Sequence, residues 1–84
     1  MMIENDLTGV IDGLSQIEKE ESIPKNVKIK IKSAMESLND KERVLSLRIS
    51  KSLQDLEDAS DDPNLPDYIR SQIWSIVSLL ESKE

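Results

Sequence analysis

The 84-residue sequence contains no cysteine, no histidine and no phenylalanine. Without cysteine there is no disulfide framework, thiol nucleophile or thiolate metal site. Without histidine the commonest general base and metal ligand is missing, and the serines have no imidazole to activate them. No G-x-S-x-G elbow appears, and with only two glycines there is no phosphate-cradling Gly-rich loop. One Trp and one Tyr are the whole aromatic content, which leaves any core aliphatic. No apolar run approaches the roughly 18 residues of a membrane helix. The start, "MMIENDLTG", has neither the basic residues nor the apolar stretch of a secretory signal. These absences predict a cytoplasmic protein that is not an enzyme, with no catalytic residue, metal ligand or cofactor to assign.

What the chain does have is helical periodicity. Apolar residues fall at Ile3, Leu7, Val10, Ile11, Leu14 and Ile17, a single helical stripe. Asn5 or Asp6 is a candidate cap for this helix, with Ile3 as a staple outside it. Pro24 opens a second helix, where its missing N–H is no loss, and Val27, Ile31, Ala34, Met35 and Leu38 form its stripe. The alternation in "VKIKIK" also reads as a strand, but that strand would have no partner elsewhere in the chain. "LNDKE" supplies a turn, with Asn39 or Asp40 capping a third helix and Glu42 in its first turn. Leu45, Ile49, Leu53 and Leu56 carry that helix. Pro63 and Pro66 stop and restart the chain, and Ile69, Ile73, Ile76, Val77 and Leu80 form the fourth stripe.

Two phrases repeat. "SIPKNVK" at 22–28 and "NLPDYIR" at 64–70 align without a gap, placing Ile23 on Leu65, Pro24 on Pro66, Val27 on Ile69 and Lys28 on Arg70. The register extends to Ile11 on Leu53, Leu14 on Leu56, Ile31 on Ile73 and Leu38 on Leu80. The repeating unit is therefore helix, Pro-turn, helix, about 42 residues long and within the range of HEAT-like helical pairs. Two such pairs are too few for a solenoid, and connections this short favour closure. The expected fold is all-α: one domain over residues 1–84, an antiparallel four-helix bundle of two similar αα-hairpins, at about 3–38 and 40–82.

The Pro-turn phrases and the ending "RSQIWSIVSLLE" resemble an uncharacterised family of small, mainly archaeal proteins, one of the UPF families. The resemblance rests on Asp62, Pro63, Asn64, Pro66, Arg70, Ile73, Trp74, Ile76, Val77, Ser78 and Leu80, and on Ile23–Val27. It implies a four-helix bundle and assigns no activity, so no site residue carries over.

Three surface features remain. The acidic residues Asp58, Asp61, Asp62 and Asp67, with Asn64, offer hard oxygen ligands for a cation, but without EF-hand spacing. They read more simply as helix ends and caps, and Glu18, Glu20 and Glu21 read the same way before the first Pro-turn. Charge is uneven: residues 24–51 carry eight basic and three acidic side chains, against three and fourteen elsewhere. Lys25, Lys28 and Lys32 share one sector of the second helix, a candidate basic face for nucleic acid. Finally, some apolar residues miss their stripes. Ile29 lies about 160° from Ile31, Leu47 about 160° from Leu45, and Trp74 about 100° from Ile73, with Leu79 on the other flank. Trp74 reads as filling the gap between the hairpins or as surface, with the filler favoured. Ile29 and Leu47 read as an interface.

The sequence thus predicts a small non-catalytic module that binds a protein partner or itself as a homo-oligomer, without membrane contact. The alternative is a nucleic-acid-associated protein using the basic face of residues 25–51.

Overall fold

The computed structural model describes residues 7–83. Four helices account for most of them: α1 (Thr8–Glu18), α2 (Lys25–Asn39), α3 (Leu45–Ser60) and α4 (Asp67–Glu81). Among the described residues there is no strand. The "VKIKIK" stretch lies inside α2, where Val27, Ile31, Ala34 and Leu38 are buried and Ile29 is exposed. The helical period, not the alternation, decides which side chains enter the core. The candidate caps Asn5 and Asp6 and the staple Ile3 lie outside the described residues.

Each helix packs on two others. α1 lies against α2 and α4, α3 lies against α2 and α4, and the backbones of the diagonal pairs stay apart. The α2–α3 pair is antiparallel: Lys30 reaches Asp58 at 3.4 Å, Lys51 reaches Ser33 at 3.5 Å, and Arg48 bonds the Leu38 carbonyl. One buried cluster runs from Leu7 to Leu80. Its fully enclosed members include Leu14, Ile31, Leu38, Ile49, Leu56, Ile69, Ile73 and Leu80, and it contains no aromatic ring. Each such side chain stabilises the fold by about 1.5–3 kcal/mol relative to exposure. Gly13 lets α1 and α4 close, because a Cβ there would stand 3.1 Å from Ile76 Cδ1.

The two Pro-turns share one backbone, and the structure contains a third copy. Pro24, Val44 and Pro66 each precede a helix with nearly the same dihedrals, φ −62°, −65° and −60° with ψ 153°, 153° and 145°. In every copy the carbonyl of this residue accepts the N–H groups three and four positions on, as in Leu47 and Arg48 to Val44. The carboxylates of Asp40 and Asp62 accept the N–H of Glu42 and Asn64, at 3.2 and 2.8 Å.

Two local expectations are therefore corrected. Asn39 and Asp40 do not cap α3, and Glu42 is not in its first turn. Lys41, Glu42 and Arg43 form the recurring turn instead, and α3 starts at Leu45. Pro24 stands just outside α2 as its N-cap rather than within its first turn. Its fixed φ and missing N–H suit that place equally well.

Candidate functional site

The three turns are alike in backbone but not in cover. Ile23 and Leu65, one residue before the two prolines, are buried, as are Val27 and Ile69 three residues after them. The matching positions around Val44 are Arg43 and Leu47, and both are exposed. Leu47 is 55% exposed where Val27 is 1% and Ile69 0%. The difference is positional. Because α2 and α3 run antiparallel, the two Pro-turns lie at the same end. There Tyr68 Oη donates to Glu20 Oε1 at 3.3 Å and lies 3.2 Å from Ser22 Oγ. Among the described residues the α2–α3 turn is the one turn at the other end, and Val44 and Leu47 are exposed there.

Ile29, Leu47, Trp74 and Leu79 are all exposed. Trp74 is 46% exposed, which corrects the favoured reading of it as filler between the hairpins: the aliphatic stripe closes the core without it. The structure does not gather these four into one patch. Ile29 is beside the Lys30–Asp58 end of the α2–α3 pair and Leu47 beside the Arg48–Leu38 end. Trp74 and Leu79 are on α4, about 140° apart around its axis.

The basic face on α2 is partly matched by acid. Lys32 Nζ lies 3.8 Å from Glu18 Oε2 and neighbouring Lys30 pairs with Asp58, while Lys25 is exposed and Lys28 half-buried. Of the four acidic residues at 58–67, Asp61 is exposed and the other three are engaged. Asp58 pairs with Lys30, Asp62 caps the Asn64 N–H, and Asp67 pairs with Arg70 at 2.7 Å. Among the described residues no three acidic side chains converge as a metal site.

Sequence reading missed the role of two arginines. Arg70 reaches back from α4 to the end of α3: Nε donates to the Ser60 carbonyl and Nη2 to the Asp62 carbonyl, both at 2.9 Å. Its Nη1 holds the Asp67 carboxylate. Carbonyls at a helix C-terminus have no partner within the helix, and a cation there also suits the macrodipole. Arg48 occupies the same position in the α2–α3 turn and donates through Nη2 to the Leu38 carbonyl. Its Nε is buried and unpartnered. The signal for both was the basic residue four positions after each turn's N-cap, present in Lys28, Arg48 and Arg70.

Beside Arg48 the outer faces of α2 and α3 form an open groove of about 520 Å³. Arg43, Arg48 and Lys51 line it together with Glu36, Asp40 and Leu47. Arg43 is held by Asp40 at 3.0 Å, and Lys51 by Asp55 at 3.1 Å. Among the described residues no helix is long and apolar enough to cross a membrane.

Comparison with known proteins gives one consistent answer. A "UPF0147 protein" of Methanosarcina mazei is 38% identical, over 96% of this chain and 91% of its own length. One from Archaeoglobus fulgidus is 36% identical, over 95% and 91%. The crystal structure of a protein from uncharacterised family UPF0147 of Thermoplasma acidophilum superposes with a TM-score of 0.90 at 26% identity, covering 98% of this chain and all of that one. The family model described as "Uncharacterised protein family (UPF0147)" matches residues 1–82, and the chain belongs to that family.

Proposed function

We propose that this chain works by protein contact rather than catalysis, as a small helical module with self-association as its simplest form. The observation that carries the reading is Leu47. The same turn position is aliphatic in all three copies, buried twice and 55% exposed once. With Val44 at 63% exposure beside it, the α2–α3 turn offers an apolar surface at one end of the molecule. Single exposed apolar residues are ordinary, but a core position of a repeated turn left open is a natural seat for a partner's apolar side chain. The absence of histidine and cysteine supports a non-catalytic role.

The test is solution mass by light scattering on a sizing column, over a range of salt and protein concentrations. A salt-insensitive dimer or larger species that Leu47→Glu reduces to monomer supports the reading. A monomer at every concentration, unchanged by Leu47→Glu, removes self-association.

A further inference from the structure

Arg48 and Arg70 are the same residue of the same turn in different states of completion. Counting from the shared N-cap, Val44 matches Pro66, Asp40 matches Asp62, and Leu38 matches Ser60. At Arg70 all three guanidinium nitrogens are engaged: Nε on the Ser60 carbonyl, Nη2 on the Asp62 carbonyl and Nη1 on the Asp67 carboxylate. At Arg48 only Nη2 is engaged, and the position matching Asp67 is Leu45. The carboxylate that orients Arg70 has no counterpart, and Arg48 Nε stays buried without a partner. A buried unpaired donor on a cation is costly and needs a reason.

We propose that the α2–α3 groove binds a carboxylate, which pairs with Arg48 as Asp67 pairs with Arg70. The carboxylate takes Nη1, Nε passes to the Leu38 carbonyl, and Nη2 passes to the Asp40 carbonyl, the match of Asp62. Two features favour a carboxylate over phosphate. The internal precedent is a carboxylate. Arg43 and Lys51 are already held by Asp40 and Asp55, which leaves Arg48 as the cation of the groove to be matched. Leu47 at the rim suits an apolar group attached to the acid. The inference does not depend on self-association. The carboxylate belongs either to a small organic acid or to a second copy of this chain.

The test follows the arginine Nε–Hε resonances of the ¹⁵N-labelled full chain, with butanoate and inorganic phosphate as probes at constant ionic strength. The expected result is a saturable shift of Arg48 Nε–Hε with butanoate, half-complete at roughly 5–80 mM, as one charge-assisted pair of about 1.5–3 kcal/mol gives. The Arg70 signal stays still. Arg48→Lys, which keeps the charge and loses the fork, weakens the response of nearby backbone amides to butanoate about tenfold. Leu45→Asp supplies the missing carboxylate within the chain, so its Arg48 signal is already displaced and no longer responds. A displaced Arg48 signal that returns on diluting the protein without probe identifies a second copy as the source. The proposal is overturned by no saturable shift together with no dilution effect, by equal movement at Arg48 and Arg70, or by phosphate acting as strongly as butanoate. It is also overturned if Leu45→Asp responds like the unaltered chain.

Discussion

Replacing Arg70 with Ala should destabilise the protein far more than replacing Arg48 with Ala, although the two residues hold the same place in matching turns. Arg70 makes two charge-assisted bonds to part-buried carbonyls at the end of α3, both at 2.9 Å. At about 1.5 kcal/mol each, the lower end for bonds to a charged group, their loss costs about 3 kcal/mol. The Asp67 pair adds little, because that carboxylate is 99% exposed and screened by water. Arg48 loses one such bond, about 1.5 kcal/mol, and its removal relieves a buried unpaired donor worth about 1 kcal/mol. The net cost at Arg48 is about 0.5 kcal/mol, and the difference between the variants is about 2–3 kcal/mol. For a domain of this size a loss of about 3 kcal/mol lowers Tm by roughly 12–24 °C. Urea titration followed by far-UV circular dichroism measures both variants, with an unchanged m-value as the check on two-state behaviour. Equal losses at the two positions would refute the reasoning, as would a loss at Arg70 below about 1 kcal/mol.

Further outcomes follow from the packing. Leu14→Ala or Ile73→Ala, each at a fully enclosed site, should cost about 2–5 kcal/mol in the same titration. Leu47→Gln should leave stability within about 0.5 kcal/mol while lowering the solution mass of any self-associated species. Gly9→Ala should stabilise the protein by up to about 1 kcal/mol, since a Cβ there meets nothing within 4 Å. Gly13→Ala should gain less than Gly9→Ala or lose stability, because its Cβ forces Ile76 to yield. A larger gain at Gly13 would mean that the α1–α4 contact is looser than its geometry implies. Tyr68→Phe removes an exposed bridge between the Pro-turns, and the change in thermal midpoint should be small.

The helices and their buried faces were legible because they follow from spacing along the chain. All five apolar residues expected on α4, Ile69, Ile73, Ile76, Val77 and Leu80, are buried, and Val27, Ile31, Ala34 and Leu38 are buried on α2. The exposure of Ile29, Leu47 and Leu79 could be read from their angles away from those stripes. The third turn was hidden because Arg43 and Val44 stand where the other copies have an aliphatic residue and proline. Proline and an apolar neighbour carried the recognition, whereas the backbone needs only a residue that tolerates φ near −65° before a helix. Trp74 was misread for a related reason. Lying between stripes, it has no periodicity of its own, so its cover depends on how α4 meets its neighbours.

The number of helices, their approximate extents and the residues turned inward were determined by the chain alone, since a 3.6-residue period places side chains by local geometry. Which of three equal turns stays uncovered was decided only by tertiary structure, whereas the missing carboxylate beside Arg48 is already written in the chain as Leu45 in place of Asp67. Cover depends on residues far away in sequence: Glu20 and Ser22 beside Tyr68 at one end of the molecule, and, among the described residues, no matching turn beside Leu47 at the other.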